Sequence, residues 1–422
     1  MKILFITFFF PPYKTVASLR TGKTAKILFK MGYDIKIVSA KNNDIKEELA
    51  IQVPRDALYQ TDWFDMDNFV LQLLGKGNKS VLRDTLHKGD KQTIKSFLLK
   101  LFFRIYTFFA YTPDKYIGWY KPAIQESESI CKTWKPDIIY ASGMPFTSLM
   151  VAASLSKKYS IPFVAELRDL WADNHYSKQY FFGKWLEGRT LQKASAIISV
   201  SQPLVERLYT KYKIPCYEIR NAFDEEDFII EKEQCTQNHK IVILYTGMLY
   251  AGKQDPTILF QAIASDQYLK DNVECKFYGN ALDWVNDVAL RYGLANVVEV
   301  HSPIERSEVL KLQKNSDILL LLTWNDPKEK GVFTGKLFEY IGSAKPILAI
   351  GAMDDVATSV IKDNGFGLAS NDISQIVNFI KNIKNDQCVE KINNAYQNNR
   401  MAFERNLQVS KLSQVFESIL SK

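Results

Sequence analysis

Short runs of apolar, often β-branched residues recur along the chain, each followed within a few residues by a stretch of helical spacing, and this alternation limits the possible folds sharply. Lys2–Phe8 reads as a buried strand, Leu19–Gly32 as a helix with apolar Leu19, Ala25, Ile27, Leu28 and Met31, and Asp34–Ser39 as a second strand. The pattern returns where Pro136-Asp137 introduce IIYAS, a helix crosses Thr147–Tyr159, Pro162 introduces FVAEL, a helix runs from Phe182 to Lys193, and AIISVS follows from Ala196. Strands without polar alternation, joined through helices, belong to parallel sheets covered on both faces.

The texture changes near Asn221-Ala222-Phe223-Asp224, where the acidic, irregular stretch EEDFIIEKEQCTQNHK separates two β/α series. Beyond it come KIVILYTG, VECKFYGN, VVEVHS, DILLLLT and PILAIG as strands, with helices around Pro256–Ser265, Asp283–Gly293, Arg306–Asn315 and Lys336–Ser343. A length of 422 residues leaves each half enough chain for its own core. The predicted class is α/β, with two Rossmann-like doubly wound parallel-sheet domains, 1–225 and 238–395, facing across a cleft. Residues 396–422 are expected to form a C-terminal helix packing back towards the first domain.

The opening MKILFITFFF runs straight into Pro11-Pro12 without a small-residue cleavage site, so it reads as a strand rather than a signal peptide. The five cysteines are far apart and form no C-x-x-C pair, which signals neither a disulfide framework nor a zinc site and favours a reducing compartment. Ile94–Tyr111 is interrupted by Lys95, Lys100 and Arg104 and cannot serve as a membrane span. Residues 76–135 hold twelve Lys/Arg against five Asp/Glu, an excess equal to the +7 of the whole chain. Within Ile94–Tyr111 a narrow stripe of Ser96, Lys100, Arg104, Thr107 and Tyr111 is flanked by Phe and Leu, which suits either an anionic leaflet surface or a mostly buried helix.

In open parallel sheets, ligands sit outside the carboxyl ends of strands, so the residues after each apolar run are the candidate site. The densest group is GVFTGKLFEYIGSAKPIL, beginning at Gly331. A glycine-bearing loop entering a helix presents unpaired N–H groups and the positive dipole end, which suit a phosphate; Thr334, Gly335 and Lys336 stand there. Glu339 lies one turn deeper, where a carboxylate can accept from a ribose diol, although the pair also reads as an i,i+3 salt bridge on a solvated face. After IVILY come Thr246, Gly247 and Lys253, small residues and a second cation for a diphosphate or, alternatively, a turn with a solvated lysine. Tyr278-Gly279-Asn280 adds a third loop at that edge.

In the first half, Glu166, Arg168, Asp169 and Trp171 end the strand FVAEL. A carboxylate there can orient or deprotonate an acceptor hydroxyl and Arg168 can hold a phosphate, unless the group is a structural Arg–carboxylate network. Ser142-Gly143 and Pro12-Tyr13-Lys14 end neighbouring strands and either line the same cleft or form plain turns. Gly22-Lys23-Thr24 resembles the end of a G-x-x-x-x-G-K-[ST] phosphate loop, but Ala17 occupies the first glycine position. His87, His175, His239 and His301 show no ligand spacing, and no D-x-D motif stands in a strand context, so neither a metal nor another cofactor is expected.

With these residues in place, the chain resembles the family-4 retaining glycosyltransferases of the GT-B fold along nearly its full length. TGMLYAGK looks like that family's phosphate loop and GKLFEYIGSAKPIL like its donor-binding helix and following strand, while MKILFITFFFPP, PDIIYASGMP, FVAELRDLW and IRNAFD look like the branch that builds bacterial surface polysaccharides. The resemblance implies a hexosyl-type transferase that moves a sugar from a nucleotide-sugar to a hydroxyl of a saccharide or lipid-linked acceptor with retention, in capsule, O-antigen or exopolysaccharide synthesis. Glu339 would bind the donor ribose and Lys253 and Lys336 the diphosphate, with Thr246, Gly247, Tyr278, Gly279, Asn280, Thr334 and Gly335 completing the donor site. Asp169, catalytic with the two lysines, would sit at the acceptor side with Pro12, Tyr13, Lys14, Ser142, Gly143, Glu166, Arg168 and Trp171. The leaving diphosphate would help to take the acceptor proton, which fits the lack of a credible catalytic His.

Three positions depart from the pattern: Gly331 replaces the glutamate often found eight residues before Glu339, Met248 replaces the phosphate-loop arginine, and Thr15–Ser18 replaces a glycine pair. Two other readings stand beside the transferase: a sugar-nucleotide epimerase or hydrolase on the same fold, and a non-catalytic nucleotide-binding partner. The expected setting is the inner face of the cytoplasmic membrane, with an anionic membrane surface as partner and no nucleic acid.

Overall fold

The structure, a computed structural model, describes residues 1–42, 44–73, 106, 111–174, 181–229, 240–324, 331 and 333–421. These form two compact units, Met1–Ile219 with Lys411–Lys422, and Arg220–Ser410. In the first unit the strands are β1 (Lys2–Thr7), β2 (Asp34–Ala40), β3 (Leu58–Thr61), β4 (Ile138–Gly143), β5 (Phe163–Leu167), β6 (Ala196–Ser199) and β7 (Cys216–Glu218). They pair in the order β3-β2-β1-β4-β5-β6-β7, all parallel. The central strands are buried on both faces, which is why KILFIT and FVAEL are mostly apolar and show no polar alternation. The direction of winding reverses between β1 and β4, which register Leu4 on Ile139 and Thr7 on Ser142. That reversal opens the crevice where doubly wound sheets take ligands.

The helix after β1 spans Val16–Lys30, capped by Thr15, whose hydroxyl accepts from the Ser18 N–H at 2.9 Å. Gly22 lies inside this helix, where a Cβ would come within 2.5 Å of Pro11; the P-loop-like glycine is a packing residue.

The second unit repeats the plan with β8 (Ile241–Thr246), β9 (Val273–Tyr278), β10 (Val298–His301), β11 (Ile318–Leu322), β12 (Ile347–Ile350) and β13 (Gly367–Ala369). Its parallel order is β10-β9-β8-β11-β12-β13, reversing between β8 and β11. Packing draws Arg220–Ile229 into this unit rather than leaving 220–225 with the first domain. Phe223 and Phe228 enter its core, Asp224 takes Arg405 at 2.8 Å, and Glu225 takes Arg400 at 2.8 Å.

The last helix, Arg405–Leu420, begins in the second unit and from Lys411 onward belongs to the first. There the Tyr33 hydroxyl donates to Glu417 at 2.7 Å, and the Phe416 ring lies 5.5 Å from that of Tyr140. Among the described residues no helix is long and apolar enough to cross a membrane. The proposed surface helix Ile94–Tyr111 lies outside the described residues except for Tyr106 and Tyr111, whose hydroxyls donate to Asp67 at 2.6 and 2.8 Å.

Candidate active site

At the carboxyl end of β8 the chain turns through Gly247 with φ +103°, a conformation that L side chains rarely adopt. A Cβ there would also meet Cε of Lys336 at 2.8 Å, and one on Gly279 would meet the Gly247 carbonyl at 2.2 Å. Two of the expected donor-site glycines thus let three segments approach one another: the β8 end, the β9 end and the helix Gly335–Ser343.

Lys336 stands in the first turn of that helix, with its ammonium 4.1 Å above the Tyr245 ring. It donates to the Tyr245 hydroxyl and, at 2.9 Å, to the Met248 carbonyl. Burial lowers its pKa to about 8, partly opposed by Glu339. Thr334 holds the N-cap position with no side-chain capping bond, so its hydroxyl does not occupy the first-turn amides. A partly dehydrated ammonium in the first turn of a helix is an arrangement that stabilises a phosphate.

Glu339 does not pair with Lys336. Its carboxylate takes Arg306 at 3.2 Å, and Arg306 also reaches Asp227 at 2.9 Å. Thr246 is buried, its hydroxyl accepts from Gln313 at 3.2 Å, and its N–H donates to the Tyr340 hydroxyl at 3.4 Å. Tyr278 stacks on His301 at 4.5 Å, Asn280 is exposed, and the exposed Lys253 lies 4.0 Å over the Trp324 ring. Arg306, Tyr245 and Gln313 were invisible as site residues in the sequence, because no local spacing ties them to Glu339, Lys336 or Thr246.

The strand-end cluster of the first unit is an interior network. Glu166 is 1% exposed and takes Arg20 at 2.6 Å and the Ser142 hydroxyl. Burial pushes its carboxyl up, but Arg20, Arg168 and these hydrogen bonds outweigh burial and hold it below the usual carboxylate range. Trp171 is fully buried and stacks on Phe146 at 4.8 Å and 3°. Ser142, Gly143, Glu166, Trp171 and Tyr13 are all buried within the first unit. Arg168 donates to the Gly143 carbonyl at 2.9 Å and to the Met144 carbonyl, locking its own loop to the next, and burial lowers its pKa. The Pro12 carbonyl accepts from the Glu48 and Leu49 amides, and exposed Lys14 pairs with Glu48. Asp169 is half-buried just beyond β5. Among the described residues no group of His, Cys, Asp or Glu is assembled that could hold a metal.

A family model described as Glycosyltransferase Family 4 matches residues 87–227. No curated protein matches the chain. Among solved structures, a glycosyltransferase from Rickettsia africae is 16% identical with a TM-score of 0.63, covering 99% of this chain and 98% of that one. The Anabaena protein HepE, solved in complex with UDP, is 14% identical with a TM-score of 0.63 over 99% of this chain and all of its own. WaaG, a glycosyltransferase involved in lipopolysaccharide biosynthesis, is 10% identical with a TM-score of 0.56 over 99% of both chains. These likenesses and the two parallel sheets establish the GT-B fold, and the family match supports a glycosyltransferase.

Proposed function

We propose that this protein transfers a hexosyl-type sugar, with retention, from a nucleotide-sugar held by its second unit to a hydroxyl of a saccharide or lipid-linked acceptor in surface-polysaccharide synthesis. The observation that carries the reading is Lys336, seated over Tyr245 in the first turn of Gly335–Ser343 and against Gly247 at the β8/β11 switch point. A nucleoside diphosphate placed there gains a dehydrated ammonium and the helix amides, and Lys253 supplies a second cation. Glu339, steadied by Arg306, takes the ribose diol. Charge building on the leaving diphosphate is stabilised by these groups, and the diphosphate itself helps to take the acceptor proton. Asp169 stands on the acceptor side, and the reaction needs no metal. The UDP complex of HepE makes UDP the first nucleotide to try.

The basic segment 76–135 supports a setting at an anionic membrane surface on the cytoplasmic side, an attachment that high salt and a Lys100→Glu, Arg104→Glu double variant should both release. The central test is a thermal-shift screen of UDP- and GDP-sugars, followed by transfer from the stabilising donor to saccharide and lipid-linked acceptors. Stabilisation with transfer supports the reading. Binding without transfer favours a non-catalytic partner, and isomerised or hydrolysed donor without acceptor favours the epimerase or hydrolase.

A further inference from the structure

The first unit contains a pocket of about 300 Å³ at the carboxyl ends of β2 and β3, on the far side of β1 from the β1/β4 switch point. Its apolar wall is Trp63 and Tyr116, with ring centroids 5.5 Å apart and planes at 58°. Both rings rest on the fully buried Phe8, at 5.2 and 4.3 Å, and the Trp63 Nε1–H donates to the Lys41 carbonyl at 3.0 Å. Behind them Trp119 donates to the Thr61 hydroxyl at 2.8 Å. The wall is thus anchored before any ligand arrives, and the Trp63 indole N–H is already satisfied.

The rest of the lining carries both signs of charge at close quarters. Lys41 and Lys115 supply ammoniums, while Asp44, Asp62 and Asp65 supply carboxylates. Lys41 lies 3.3 Å from Asp62, and Asp65 is oriented by the N–H groups of Asp67 and Asn68 at 2.9 and 3.1 Å. Asn42 donates to the Ala40 carbonyl at 3.0 Å, which fixes its amide. A phosphate would meet three carboxylates against two ammoniums, one of them already paired. A wholly apolar ligand would strip water from the charges without replacing its hydrogen bonds. A hydroxyl-rich ring meets every group, since each hydroxyl both donates to a carboxylate and accepts from an ammonium or amide, while the ring's C–H face packs on the aromatic wall.

We infer that this pocket binds one neutral pyranose ring of a saccharide chain. As the acceptor's anchoring ring it rests on the transferase reading, and it makes that acceptor a carbohydrate held by a ring other than the one that reacts. The binding itself needs no transfer, which allows a direct test on the full-length protein with the methyl glycosides of glucose, galactose, mannose and N-acetylglucosamine. Saturation-transfer NMR should show at least one glycoside binding through its ring protons with a Kd of roughly 1–10 mM, the range of a single-ring contact. Asp62→Asn, at a side chain 83% exposed and so harmless to folding, and Trp63→Phe should each weaken it at least about five-fold. The inference is overturned if no glycoside saturates, or if binding is the same in both variants. UDP is titrated in parallel: UDP binding without glycoside binding removes the pocket and leaves the donor reading, whereas the reverse removes the donor reading and leaves the pocket.

Discussion

Lys336 offers the most direct access to the donor site, because its charge is held at a cost. An ordinary lysine loses its proton at 10.5 and this one at about 8. The difference corresponds to about 3 kcal/mol against keeping the ammonium charged in the folded protein. The sign follows: between those pH values the unfolded chain binds more protons than the folded one, so this residue makes stability rise with pH across that window and contributes no gain below about 8. A diphosphate reverses the penalty by stabilising the charged form, so binding raises the Lys336 pKa and draws in a proton when the free site has lost it. UDP affinity should therefore fall about ten-fold between pH 7 and 9, above the range in which phosphates titrate. Calorimetry in two buffers of different ionisation enthalpy at pH 8.5 should register proton uptake on binding. Lys336→Arg, with a charge that does not titrate, should flatten the profile, and Lys336→Ala should flatten it at a weaker affinity. An affinity that stays level to pH 9 in the wild type, or falls identically in Lys336→Arg, refutes the contact between Lys336 and the diphosphate.

Further outcomes follow from the same geometry. Lys253→Ala and Lys336→Ala should each lower turnover by roughly 10²–10³, the effect of losing one preorganised charge stabiliser, and near-normal turnover in both would remove the phosphate assignment. Glu339→Gln should weaken UDP binding about ten-fold by calorimetry with little change in melting temperature; unchanged affinity would leave Glu339 as the partner of Arg306 alone. Arg20→Ala abandons the buried Glu166 carboxylate and should cost about 3–5 kcal/mol in urea unfolding, most of it recovered by the pair Arg20→Met, Glu166→Leu. Because the folded-state pKa of Glu166 is depressed, its stabilising contribution should be present near neutral pH and decline as acid protonates it. Asp169→Asn should reduce transfer far more than donor binding, and a parallel fall in both would deny it an acceptor role.

Strands such as ILLLL in DILLLLT were legible because a parallel strand buried on both faces favours apolar residues without polar alternation. The edge strands Leu58–Thr61 and Gly367–Ala369 were not, since LYQT is only half-buried throughout and shows no alternation, and GLA is too short to carry a pattern. Strand-end positions were equally readable, as chain order alone puts Lys336 and Gly247 at a carboxyl edge. What a side chain does there was not readable. Glu166 turns inward because Arg20, 146 residues earlier, waits for it, and Glu339 takes Arg306 rather than the lysine three positions away. Such pairings arise only when distant helices meet, and no local periodicity records them.

The helix Arg405–Leu420 also fixes a timetable. The first sheet leaves the ribosome early, yet the Phe416 side chain that covers Tyr140 and the Glu417 carboxylate that receives Tyr33 are encoded after the 191 residues of Arg220–Ser410. At about 5–20 residues per second, the amino-terminal core waits roughly 10–40 s with that flank uncovered, a window in which a chaperone competes with the missing segment. A nascent chain stalled before Lys411 would expose the Tyr140 face throughout, and a gene cut at the boundary between the units would yield an amino-terminal fragment lacking its last piece of core.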